Sequence, residues 1–244
     1  MTLHYQPTKK DKERYKGMSV CVLIPCGSYE MSATFVNCLS NMLVYSWMHG
    51  LKIHQVGHTE RMVVDWARND LARRATKKIC EYTDEHFTHF LWLDDDHAFS
   101  PDLALWLARE DKDMVSALYF GRTDPHYPVV YVKDNSGDKY KHFPLLEVPT
   151  SLIEVDAVGF GALMMRRDVF KRVPEPWFTV DYKAGEDIAF CVKAKEHGVK
   201  VYCDGRYKLG HIGPPPIVTE ETYLAAQKNN PDIFNNKVKV GFNG

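Results

Sequence analysis

Apolar residues fall into short unbroken runs and longer stretches where they recur every third or fourth position. Ser19-Val-Cys-Val-Leu-Ile24 is a continuous run closed by Pro25-Cys26-Gly27-Ser28, which predicts a buried strand ending in a loop. Residues 31–49 have the length and pattern of a helix, and Gly50 stops them. Residues 51–56 read as a strand, and Ala67, Leu71, Ala75 and Ile79 then mark one face of a second helix. Residues 87–93 predict another buried strand, with Asp94-Asp95-Asp96 at its end. Ser100 is read as a helix cap with Pro101 at the first helical position, the helix running to about Arg109, and residues 114–119 return to strand. This alternation predicts an α/β fold with a mostly parallel central sheet.

The second half changes rhythm. Residues 127–132, 142–148 and 152–158 predict short strands, separated by Asp134-Asn135-Ser136-Gly137 and Pro149, as an antiparallel extension of the same sheet. Residues 167–173 and 186–197 predict helices, and Gly198 ends the second before a strand over 199–202. The expected organisation is a polar leader over 1–18, one domain over 19–213, and a C-terminal tail over 214–244 that packs on or near the active site. That tail carries one helical stretch near 220–228.

Composition narrows the function. The 244 residues are 45% hydrophobic and 26% charged, with 31 Lys+Arg against 32 Asp+Glu, an ordinary globular balance. A net charge of −1 excludes a strongly basic nucleic-acid binder, though Arg73-Arg74-Ala-Thr-Lys77-Lys78 is a local basic stretch. Six cysteines without a C-x-x-C pair speak against a zinc ribbon or redox motif. The longest run free of polar residues, 157–165, is half a bilayer span, and no apolar signal-peptide core opens the chain. No membrane span and a reducing, cytoplasmic setting are expected.

Ligands of open α/β sheets bind outside the carboxyl ends of the strands. That edge selects Pro25-Cys26-Gly27, the residues after Val56, and Asp94-Asp95-Asp96. On an extended backbone Asp94 and Asp96 point to one side, a pairing suited to a hard divalent cation, or to one cation and one ribose hydroxyl. A solvated turn is the plain alternative, and Trp92-Leu93 just before the triplet argues against it. Glu186-Asp187 opens a helix, where the dipole alone favours carboxylates; the functional reading is a general base. His211, between Gly210 and Ile212-Gly213, is either a satisfied structural histidine or a metal ligand. Val158-Gly159-Phe160-Gly161-Ala162 lacks the spacing of a phosphate cradle, and Trp177-Phe178 is equally a stacking surface or a core anchor.

Together these pieces resemble the GT-A nucleotide-sugar glycosyltransferases, in particular the family 2-like group. The carriers are the first strand with Pro25, Ala67-Arg68-Asn69, Asp94-Asp95-Asp96 as the DxD motif, Gly185-Glu186-Asp187 as the xED motif, and His211 as the C-terminal metal-binding histidine. The resemblance implies one Rossmann-like GT-A domain that binds a nucleotide-diphosphate sugar, UDP-linked in the commonest case, through Mn²⁺ or Mg²⁺. It implies that Asp96 and His211 hold the metal, with Asp94 sharing or bordering that site. Pro25, Gly27, Arg68 and Asn69 would line the nucleoside side, with Asp94 or, one residue on, Asp95. Asp187 would be the base and Glu186 its partner, giving inversion. Compact members of this kind occur in phage genomes, where the acceptor is a glycan, a virion component or a modified DNA base. Two other readings stay open: a nucleotidyltransferase on the same sheet edge, and a non-catalytic module that binds nucleotide-sugar or glycan.

Overall fold

Every residue of the first strand is buried, because helices cover both faces of the sheet it belongs to. A computed structural model describes residues 4–77, 85–134, 137–180, 184–213 and 217–231. Lys78 and Ile79, Asn135 and Ser136, and the tail stretches 214–216 and 232–244 lie outside the described residues.

In chain order the first half holds α1 (Lys9–Lys16), β1 (Ser19–Ile24), α2 (Ala33–Met48), β2 (Lys52–His58), α3 (Val64–Lys77), β3 (His89–Leu93), β4 (His97–Ala98), α4 (Leu103–Arg109) and β5 (Met114–Leu118). It continues with β6 (Val130–Lys133), β7 (His142–Pro144), β8 (Leu152–Val155), β9 (Ala157–Val158), β10 (Ala162–Arg166) and α5 (Val169–Arg172). Last come α6 (Glu186–Glu196), β11 (Val201–Lys208), β12 (Gly210–Ile212), β13 (Ile217–Val218) and α7 (Glu220–Asn229).

Seven strands form the central sheet in the order β2-β1-β3-β10-β5-β11-β8. β1, β2 and β3 are mutually parallel, as are β5 and β11, while β10 and β8 run against their neighbours. The fold is therefore mixed α/β with a mainly parallel sheet. Side chains alternate across it: Cys21, Leu23, Phe90 and Trp92 enter one core layer, and Val20, Val22, Leu91 and Leu93 the other. Helix ends obey local rules. Ser32 caps α2 through the Phe35 N–H at 3.0 Å, and Gly50 (φ +83°) and Gly198 (φ +73°) turn the chain out of α2 and α6 in the left-handed region. Among the described residues, no helix is long and apolar enough to cross a membrane.

Three expectations need correction, and one open choice is decided. A strand not expected from the sequence, β10, follows the glycine-containing stretch 159–161 and sits in the middle of the sheet, antiparallel between β3 and β5. Only β8 extends the main sheet; β6, β7 and β9 form a separate three-stranded sheet, broken from β8 at Asp156, whose carboxylate takes the Lys133 N–H and the Lys195 ammonium. Helix α4 starts at Leu103 without a side-chain cap, because Asp102 is drawn away to the Tyr5 N–H at 2.6 Å and the Tyr207 hydroxyl at 2.9 Å. Trp177 and Phe178 are both core residues, in an aromatic cluster with Phe170, Phe190 and Phe160.

The polar leader also contains structure. Thr8 and Asp11 form a reciprocal capping box that starts α1, and fully buried Tyr15 donates its hydroxyl to the Leu105 carbonyl at 2.7 Å. Tyr15→Ala is expected to cost about 3–5 kcal/mol in urea unfolding, as for a large buried side chain. A loss below about 0.5 kcal/mol, typical of an unpacked surface position, would show that α1 contributes nothing to the core.

Candidate active site

β3 ends at Leu93 and the chain turns at Asp95-Asp96, so the triplet is not extended and its carboxylates take three different directions. Asp94, whose N–H donates to the Gly161 carbonyl at 3.1 Å, receives the Arg68 guanidinium at 3.0 Å. Asp95 faces the Cys26 thiol at the end of β1; burial first, then Asp96 beside it, raises its pKa. Asp96 meets His97, His211 and Arg122. The alternation that put Asp94 and Asp96 together fails because the strand has already ended.

The two imidazoles are set by a second, small sheet. β12 pairs antiparallel with β4, placing His211 directly opposite His97, and the rings stack with centroids 4.5 Å apart at 16°. His211 Nδ1 lies 2.8 Å from the Phe120 carbonyl, an oxygen that can only accept, so Nδ1 carries the proton there. The Nε2 lone pair then faces Asp96 Oδ2 at 3.2 Å. Two acceptors at that distance need a cation between them, a proton or a metal ion. His97 is fully buried, and neither of its ring nitrogens makes an aligned hydrogen bond, although Nδ1 lies 3.1 Å from Asp96 Oδ1. Burial would raise the Asp96 pKa, but the imidazoles of His211 and His97 beside it outweigh that effect and hold the carboxyl far below its ordinary range. Asp96, His97 and His211 offer ligand atoms all within 4.8 Å of one another.

Glycines make the space. A Cβ at Gly161 would come 2.5 Å from the His97 ring, and one at Gly159 would collide with the Tyr119 hydroxyl. Tyr119 packs edge-on against His97 and receives the Gly161 N–H at 3.1 Å.

No family model and no curated protein matches the sequence. Among solved structures, A197 from STIV matches with a TM-score of 0.55 at 20% identity, over 80% of this chain and 86% of that one. GalNAc-T7, solved with UDP, GalNAc and Mn²⁺, matches with a TM-score of 0.52 at 14% identity, over 86% of this chain. The match spans about half of that protein, 48% of its length. The fold is GT-A-like.

Within this fold the carboxylate pair opening α6 lies next to the triplet through Arg68. Its Nε donates to Glu186 at 3.0 Å and its NH2 group holds Asp94, while the guanidinium carbon lies 5.8 Å from the Trp92 ring centroid and 5.3 Å from that of Phe160. Glu186 is thus committed to Arg68. Asp187 accepts the Ile188 N–H at 2.7 Å and has no ion pair among the described residues; a Cβ at Gly185 would press to 2.9 Å from its carboxylate. Burial, then the charge of Glu186, lifts its pKa to about 6 against the opposing pull of the Ile188 N–H and Arg68.

Other residues of the sequence motif sit apart from the cluster. Pro25 is buried and Gly27 exposed at the end of β1, beside the Cys26 N–H that donates to Thr59 at 3.0 Å. Asn69 spends its amide on Phe178, accepting that N–H at 3.1 Å and donating to that carbonyl at 2.6 Å. Arg68 is 2% exposed. Two residues facing Asp96 were missed from sequence, His97 and Arg122. His97 directly follows the triplet, and Arg122 follows β5, so the strand-end rule applied to β5 reaches it.

Replacing Arg68 leaves two carboxylates beside each other with no cation. Arg68→Met is expected to destabilise by about 3–5 kcal/mol in chemical denaturation, the range for breaking one side of a buried ion pair. A cost under about 1 kcal/mol would mean that Asp94 and Glu186 are already solvated.

Proposed function

We propose that this chain is a metal-dependent glycosyltransferase that moves a sugar from a nucleotide-diphosphate donor to an acceptor hydroxyl. The observation that carries the reading is the His211 Nε2 facing Asp96 Oδ2 with its other nitrogen already committed to Phe120. A ligand histidine held by a backbone carbonyl through its second nitrogen is the usual outer-shell arrangement of a metal site. The buried, unpartnered nitrogens of His97 fit the same ion.

Among the described residues, five carboxylates, Asp94, Asp95, Asp96, Glu186 and Asp187, lie along this edge with two guanidinium groups, Arg68 and Arg122, an excess of negative charge. Asp96, His97 and His211 are the residues that would hold the ion, and two imidazoles beside one carboxylate suit Mn²⁺ better than Mg²⁺. When bound, such an ion supplies Lewis-acid neutralisation of a leaving diphosphate. Asp94 lies outside this set, held by Arg68, and borders the nucleoside side with Asp95, Pro25 and Gly27. The likeness to a structure holding UDP and Mn²⁺ supports UDP as the donor nucleotide.

Asp187 is assigned as the base because Glu186 is neutralised by Arg68 while Asp187 has no ion pair among the described residues, and a carboxylate with a pKa near 6 is a better proton acceptor than an ordinary one. Direct attack by the deprotonated hydroxyl on the face opposite the leaving group gives inversion. Arg68 and Asn69 act from behind, fixing Glu186 and the segment around Phe178.

Two measurements test this reading. With Mn²⁺ and nucleotide at about a hundredfold excess over Kd, stability should rise by about 2.7 kcal/mol for the cognate ligand. EDTA or Asp96→Asn should remove that rise. No stabilisation by any of UDP, GDP, CDP or dTDP with Mn²⁺ would sink the donor assignment, and pyrophosphate release from a nucleoside triphosphate would favour a nucleotidyltransferase. Donor binding without turnover on any acceptor would indicate a binding module.

For Asp187 the sign is fixed by its role. A base works deprotonated, so the transfer rate should climb as pH rises towards about 6 and level off above it. Asp187→Asn should keep nucleotide affinity and lose about 10²–10⁴-fold in rate, with no limb near pH 6. Product of retained anomeric configuration, or full activity of the variant, would refute the base.

A further inference from the structure

Asp96 already has a cation beside it. Arg122 NH1 lies 3.2 Å from Asp96 Oδ2, the oxygen that also faces His211 Nε2 at 3.2 Å. The guanidinium therefore stands at the same carboxylate oxygen that the metal assignment uses. We propose that Arg122 is an exchangeable cation: it neutralises Asp96 before metal binds, then turns to the donor's diphosphate once the ion has taken its place. This rests on the metal and donor reading above and adds a residue and an order of events to it.

Three features support exchange over a fixed structural pair. First, the Arg122 side chain is about half exposed (51%), unlike Arg68 at 3%, so its charge can leave Asp96 without being stranded in the interior. Second, its backbone is anchored: the Gly121 N–H donates to Tyr127 at 2.9 Å, and His126 returns through its N–H to Thr123 at 2.7 Å and through its ring to the Gly121 carbonyl. Side-chain rotation alone must then carry the movement. Third, the stem rests on a glycine: a Cβ at Gly213 would come 2.7 Å from Arg122 Cδ, so no side chain at that position pins it.

The same loop supplies the Phe120 carbonyl that orients His211, so one strand end sets both the imidazole and the competing cation. Guanidinium matches diphosphate oxygens in a paired fork, whereas beside a bound divalent ion it would be repelled from Asp96. No bond is made or broken in the exchange.

The test uses the full chain and Arg122→Gln, which keeps the stem over Gly213 and removes the charge. Binding of Mn²⁺ without nucleotide is read by the electron paramagnetic resonance signal of the free ion, and binding of UDP, UMP and uridine at saturating Mn²⁺ by calorimetry. Mn²⁺ should bind about fivefold tighter to the variant, because a competing charge is gone. UDP should bind about tenfold weaker or more, through loss of charged hydrogen bonds, with uridine unchanged. Opposite signs for metal and diphosphate are the signature, and a merely structural arginine would weaken both. Unchanged or weaker Mn²⁺ binding overturns the exchange, and unchanged UDP affinity overturns the transfer to diphosphate. If the wild-type chain binds Mn²⁺ but no nucleotide in a panel extended to GDP, CDP and dTDP, the donor reading fails. If it binds no metal, the site assignment fails, and in both cases the proposal falls with it.

Discussion

A single buried guanidinium organises the polar edge of the sheet. Arg68 comes from the middle of α3, lies over Trp92 and Phe160, and holds Asp94 at the end of β3 and Glu186 at the start of α6. An arginine at 2% exposure is tolerated only when paired, and its two partners come from elements distant in sequence. Those pairings fix the position of α6 relative to β3. Asp187, one residue after Glu186, inherits its place from the same contact. The pair of carboxylates is thereby divided into one tied to Arg68 and one with no ion pair among the described residues.

The Asp triplet follows the same logic of division. Three adjacent carboxylates on one short turn repel each other unless each finds its own partner. Asp94 has Arg68, Asp95 has the Cys26 side, and Asp96 has two imidazoles and Arg122. The outcome is one carboxylate tied to Arg68, one beside Cys26 and one facing two imidazoles and Arg122, in consecutive positions. Tyr119, Gly159 and Gly161 complete the arrangement by letting His97 lie where a larger neighbour would exclude it.

The C-terminal stretch also bears on this edge. Fully buried Tyr223 of α7 stacks on Phe120 with ring centroids 5.2 Å apart and donates its hydroxyl to the Leu146 carbonyl at 2.6 Å. Phe120 is the residue whose carbonyl fixes the His211 tautomer. The tail helix therefore supports the imidazole from behind.

Local chemistry sufficed for part of this protein. Unbroken apolar runs named β1, β3 and β5, helical periodicity with Gly50 and Gly198 bounded α2 and α6, and acidic residues at a strand end and a helix start marked where the polar chemistry gathers. Such signals lie within a few residues of one another, so a one-dimensional string carries them. Tertiary structure alone placed β10 in the centre of the sheet, because the apolar run 162–165 after the glycine bend has no partner along the chain until β3 and β5 offer hydrogen bonds on both sides. It also decided which carboxylate meets which cation. Asp94 with Arg68, and Asp96 with His97, His211 and Arg122, are pairings made by strand register and by the turn after β3, and no spacing along the chain encodes them.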